Sequence, residues 1–169
     1  MEKVLHFVDG VNEWVGRIFC WVVAIIGILA VSEVIMRRFL NAPTLWNFEV
    51  TIQLFGFLFM ILGAYTLLKD SHVAVDILYK RFSKKKQALL TIISYLIFFF
   101  PFCATILWHG TRFAVASWET WERTSSAFAP PIYPIKTVVP ITGLLLTIQG
   151  LAIFIRKVNV LIGRRSDTD

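Results

Sequence analysis

Four long stretches of the chain contain no Asp, Glu, Lys or Arg: Ile18–Ser32, Val50–Leu68, Gln87–Thr111 and Thr137–Ile155. Each comes close to the roughly 20 apolar residues that a bilayer crossing needs. The polar residues around them set the limits. The first predicted span covers 14–40 and stops at Asn41-Ala42-Pro43, because proline excludes the helical conformation from its predecessor. The second covers 46–68, with Gly56, Gly63 and Ala64 on one face for close packing in lipid. The third covers 87–110 and carries Pro101 just after Phe98–Phe100, which predicts a kink. The fourth covers 134–155 behind the stiff Pro130–Pro134 turn, with Gly143, Thr147 and Gly150 as a small-residue stripe.

Two connecting segments have helical periodicity of their own. Val73, Val75, Ile77, Leu78 and Phe82 form an apolar stripe away from Lys80, Arg81 and Lys84, which predicts a helix lying in the membrane plane over 71–82. Residues 112–124 are too polar to cross; with Trp118 and Trp121 three apart they predict a second such helix. A polar tail follows over 156–169. The expected fold is all-α: a polytopic membrane protein with four transmembrane helices plus one or two short in-plane amphipathic helices, in a single membrane domain over 1–169.

Composition sharpens this picture. Of 169 residues 57% are hydrophobic and 17% charged, against about 25% charged in soluble domains, which argues against an ordinary water-soluble enzyme. Four spans use up the length and leave no separate soluble domain. The net charge of +6 gains meaning from its distribution. Twelve of the Lys and Arg residues fall near the termini and in the central loop and five in the other two loops, so both termini are expected in the cytoplasm. The basic excess then records orientation and does not imply a nucleic-acid partner. Cys20 and Cys103 sit inside apolar runs as small hydrophobes. Glu2, Asp9 and Glu13 ahead of the first run argue against a cleavable signal.

Ionisable groups inside apolar spans are the natural functional candidates, because an unpaired charge near the bilayer centre costs at least ~2.5 kcal/mol. Glu33 is one, with Arg37 four residues on along the same face. Glu49 is the other, with Gln53 one turn deeper and Arg38 across the short Asn41–Leu45 connection. These groups are expected to form a polar clamp joining the first two helices. His72 and Asp76, four apart, fit a solvated loop face or a partner contact. His6, His72 and His109 are too scattered to hold a haem as facing axial ligands. No catalytic, metal or cofactor pattern is present. Trp14, Trp46, Trp108, Trp118 and Trp121 fall near span ends, where indole rings favour the interface of the membrane lipids. On these features alone, a self-sufficient four-helix proton-coupled exporter using Glu33 remains open. Arg37 one turn away argues against it by holding the carboxylate charged.

Four spans, Trp46-Asn47-Phe48-Glu49 opening the second, Gly63-Ala64 near its end and His72-Val73-Ala74-Val75-Asp76 before a basic loop together resemble the small membrane subunit, the Q or DctQ-type component, of tripartite ATP-independent periplasmic (TRAP) transporters. The resemblance runs from about Trp14 to Ile155. It implies an inner-membrane scaffold in a sodium-coupled symport system for organic acids. It also implies two protein partners, a large TRAP membrane subunit that holds the substrate and sodium sites and a periplasmic substrate-binding protein, and no substrate site or cofactor in this chain. Glu33, Arg37, Arg38, Trp46, Glu49, Gln53, Gly63, His72, Asp76, Trp118 and Trp121 are then structural or interface groups.

Overall fold

A computed structural model describes residues 2–69 and 82–162, with side chains from Leu5 onward. The apolar runs become four helical rods. The first comprises α1 (Glu2–Phe19) and α2 (Val22–Phe39), joined in line by a tightened turn at Cys20 and Trp21. The second comprises α3 (Asn47–Ile61) and α4 (Gly63–Leu68). The third comprises α5 (Lys84–Ser94), a widened π-helical turn (Tyr95–Phe99) and α6 (Phe100–Glu119). The fourth is α7 (Tyr133–Leu161), with Pro140 inside it. All four rods are long and apolar enough to cross a membrane. At 1.5 Å per residue the 22-residue second rod is roughly 33 Å long, close to the hydrocarbon thickness, and the other three are longer.

The contacts fix the register of the rods. Glu13 reaches Lys69, Gly16 lies against the Tyr65 ring, Phe19 packs edge-on to Phe57 with centroids 5.1 Å apart, and Asn47 bonds back to Leu29 and Ser32. The first rod therefore runs antiparallel along the second, and α1 before Glu13 projects past the end of α4. α7 is the hub: it packs against α1, α3, α4, α5 and α6 and contributes the buried Val138, Thr142, Gly143, Gln149, Gly150 and Ala152.

Close approach of the third and fourth rods depends on glycine. A Cβ at Gly143 would lie 2.8 Å from Ile106, and one at Gly150 would run into the Phe99 ring. The expected stripe on the fourth span thus packs tightly. The stripe expected on the second span is only partly used: Ala64 is buried, Gly63 makes ordinary contact with Thr142 and Leu146, and Gly56 faces open space.

Two sequence expectations are corrected here. Residues 112–119, expected to begin a separate in-plane helix over 112–124, continue α6 without a break, and the chain leaves the helix only at Thr120 and Trp121. The polar side chains end the apolar run but not the backbone ladder, since a helix can extend beyond the hydrocarbon. The irregularity expected at Pro101 lies in the turn before it, where the Phe100 amide bonds five residues back to Tyr95. A proline ring clashes with the carbonyl four residues earlier, here Ile97, and the widened turn relieves that crowding. The expected helix over 71–82 lies outside the described residues, apart from Phe82.

Candidate functional site

The bundle has two polar ends. The loop end holds the 40–46 and 120–132 connections. The terminal end holds the start of α1, the end of α4 and the end of α7.

At the loop end, Glu33 and Arg37 form the expected pair, 3.1 Å apart, with Arg37 exposed. The second Glu33 oxygen accepts from the Thr44 hydroxyl, which ties the 40–46 turn to α2. Asn47 completes this tie. Its side chain is buried, donates 3.0 Å to the Leu29 carbonyl and contacts the Ser32 hydroxyl at 3.3 Å, while its own oxygen accepts from Thr51 at 3.1 Å. The clamp between the first two rods therefore exists, but Asn47 rather than Glu49 closes it. At 100° per residue, Glu49 sits about 200° around the helix from Asn47, so the two point to opposite sides. Glu49 accepts 3.2 Å from Thr124, and Gln53, one turn on along that face, donates 3.4 Å to the Pro131 carbonyl. Both residues thus join the second rod to the 120–132 connection. Arg38 is exposed and makes no ion pair among the described residues, so the expected proximity to Glu49 is not used.

The 120–132 connection is itself well tied. An antiparallel bridge joins Arg123 to Pro131, the Ile132 amide bonds the Glu122 carbonyl at 2.9 Å, and Thr124 contacts Ser126 at 2.9 Å. Trp121 and Ala129 adopt left-handed backbone, φ 48° and 49°, which is strained for residues with a Cβ and is held here by that network. Glu122 pairs with Lys136, whose Nζ also lies 4.0 Å from the centre of the Phe113 ring. The Lys136 ammonium holds the Glu122 carboxyl below the usual carboxylate range. Trp118 donates 2.8 Å to the Thr137 hydroxyl, and its ring packs with Trp121 and Tyr133. The two tryptophans expected on one helical face are therefore neighbours, although Trp121 is outside the helix. Trp46 precedes α3 and is partly exposed. His72 and Asp76 lie outside the described residues.

The terminal end holds a network that spacing did not reveal. Gln149 is fully buried (0% exposed) and Asn12 nearly so (2%). Asn12 donates 2.7 Å to the Gln149 oxygen, Gln149 donates 3.0 Å to Asp9, and Asp9 pairs with Arg156. This ladder fastens α1 to α7 across 137 to 147 residues of sequence. A glutamine alone within the last apolar run is the one signal that could have pointed to it. Lys136 at the start of that rod was missed in the same way.

α1 has three faces. Leu5, Asn12, Gly16 and Phe19 face the bundle; Phe7, Val11, Trp14 and Ile18, continued by Trp21 just beyond the helix, form an exposed apolar stripe; His6, Glu13 and Arg17 form a polar one. No residue of α2 is buried. On α3, Phe48, Ile52, Phe55 and Phe59 make a second exposed stripe.

With polar ties at each end and broad apolar faces between them, the arrangement is that of a membrane-spanning helical bundle. Residues 26–160 match the family described as tripartite ATP-independent periplasmic transporters, DctQ component. The chain belongs to the DctQ family. The match covers all of α3 to α6, α2 beyond its first turn and nearly all of α7, so both loop-end ties of this DctQ component lie inside the family region, whereas α1 with Asp9 and Asn12 precedes it. No curated protein matches the sequence. The DctQ chain is thus the small-permease component of a tripartite transporter and an all-α polytopic membrane protein.

Proposed function

We propose that this chain is the static scaffold of a sodium-coupled TRAP importer for organic acids. In this reading it packs beside the large subunit in a bacterial inner membrane, keeps both termini in the cytoplasm, and presents its loop end to the periplasmic binding protein. The observation that carries the reading is the unpartnered apolar surface of α2 and α3. No residue of α2 is fully buried within the chain, its face away from α3 is exposed, and the Phe48–Phe59 stripe continues that surface. Exposed apolar area on this scale suits lipid and a partner subunit together. Phe48, Phe55 and Phe59 offer large, shape-specific side chains, while α2 offers smaller branched ones.

The 12-to-5 distribution of basic residues supports the orientation. The tied 120–132 connection, with the Asn41–Leu45 turn beside it, supports docking, because a preorganised surface costs less entropy to bind than a loose loop. The exporter reading is weaker. Both oxygens of Glu33 are engaged, one by Arg37 and one by Thr44, which leaves no uncommitted carboxylate for a transported proton.

The test uses the reconstituted three-component system. Glu49→Gln weakens the hold of α3 on the 120–132 connection and is expected to lower uptake or complex stability several-fold without changing the sodium dependence. A changed sodium stoichiometry would overturn the scaffold reading, and proton-coupled efflux by this chain alone would establish the exporter.

A further inference from the structure

The outer face of α6 carries a groove of about 460 Å³ lined by Ala104, Leu107, Trp108, Thr111 and Arg112. These residues follow the i, i+3, i+4, i+7, i+8 spacing of one helical stripe. The lining is apolar along its length, since the Thr111 hydroxyl is already bonded to the Leu107 carbonyl at 2.6 Å. It ends in a charge. Arg112 is the first ionised residue after the 87–111 apolar run, so it stands where that rod leaves the hydrocarbon. Its guanidinium lies over the Trp108 ring, 5.2 Å from the centroid, and makes no ion pair among the described residues.

We propose that this groove binds one anionic phospholipid, with part of an acyl chain along Ala104–Leu107–Trp108 and the headgroup phosphate on Arg112. The ring beside the guanidinium holds it by a cation–π contact, and the guanidinium's own planar fork carries the paired N–H groups that recognise phosphate oxygens. An amphiphile matches an apolar trough ending in a cation. A neutral helix from a partner would fill the trough but leave the guanidinium without a counter-charge.

The experiment is native mass spectrometry of the full chain, extracted with its copurifying partners, stripped of lipid, and titrated separately with phosphatidylglycerol and phosphatidylcholine. The wild type should take up one phosphatidylglycerol tightly. Arg112→Gln should weaken that step by about tenfold, the loss of a charge-assisted contact, whereas Arg112→Lys, which keeps the charge but not the paired N–H groups, should fall between Arg112→Gln and the wild type. Ala104→Trp fills the trough from an exposed position with Arg112 intact and should weaken uptake as well. The proposal is overturned if Arg112→Gln or Ala104→Trp binds phosphatidylglycerol as the wild type does, if Arg112→Lys loses as much as Arg112→Gln, or if phosphatidylcholine binds equally well.

Discussion

Gln149 and Asn12 illustrate how a membrane bundle uses a buried amide. Both amides of this pair lie where water does not reach, so each hydrogen bond lost leaves an unsatisfied group at a cost of about 1–3 kcal/mol. Gln149→Leu strands Asn12 and Asp9 together. It is expected to destabilise the chain by about 1–3 kcal/mol in a mixed-micelle unfolding titration. Gln53→Leu, which removes a single 3.4 Å bond near the surface, should cost less than about 1 kcal/mol. Equal effects would show that burial is not what makes Gln149 important.

Glu122 adds a pH dependence at the same scale. Its carboxyl is held below the usual carboxylate range by the Lys136 ammonium, so the folded connection binds its proton less readily than the unfolded chain does. The stabilisation is therefore present above the ordinary carboxylate range and is lost as the pH falls through and below it. Trp118 and Trp121 pack at this connection, so their fluorescence should report the acid-induced loosening. Glu122→Gln should flatten that profile, and an unchanged profile would assign the transition to another group.

The local pair Glu33–Arg37 was legible in the sequence because both partners sit one turn apart on one helix. The Asn12–Gln149 pair was not, because 137 residues separate them and only the packing of α1 on α7 brings them together. Glu49 fell between these cases. Its position at the head of α3 was readable, but its partner was decided by which side of the helix faces α2, and Asn47 takes that side.

At the scale of elements, the contact between α6 and α7 rests on missing side chains. Gly143→Ala would place a methyl 2.8 Å from Ile106 in a face already closed by Leu107. The overpacking should cost about 1–3 kcal/mol, whereas Gly56→Ala, which meets nothing within 4 Å, should be neutral or slightly stabilising. Thermal midpoints of the two variants in the same detergent would check the contrast. The cores of all four rods were legible from the apolar runs, because hydrocarbon excludes charge. Their ends were not. α6 continues to Glu119 because a helix leaving the bilayer keeps its backbone hydrogen bonds while its side chains turn polar. The π-helical turn before Pro101 was legible only as a kink, since sequence names the proline but not the turn that yields to it.

Across the whole molecule, α7 holds the other rods while the outer faces of α2 and α3 remain bare. A transmembrane helix without a buried residue leaves its outer face to lipid or to another chain, and a DctQ component belongs to a tripartite transporter. The basic flanks and the tied loop end fit the proposed scaffold, in which the transport pathway belongs to the partner. The most direct test is the mass of the intact assembly, extracted from native membrane through a tag on this chain and weighed together with its sodium-driven uptake after reconstitution. The account predicts a stable complex with one large polytopic membrane subunit, and organic-acid uptake that requires both chains and the periplasmic binding protein. A chain that runs alone or only with copies of itself, and transports by itself, would contradict it.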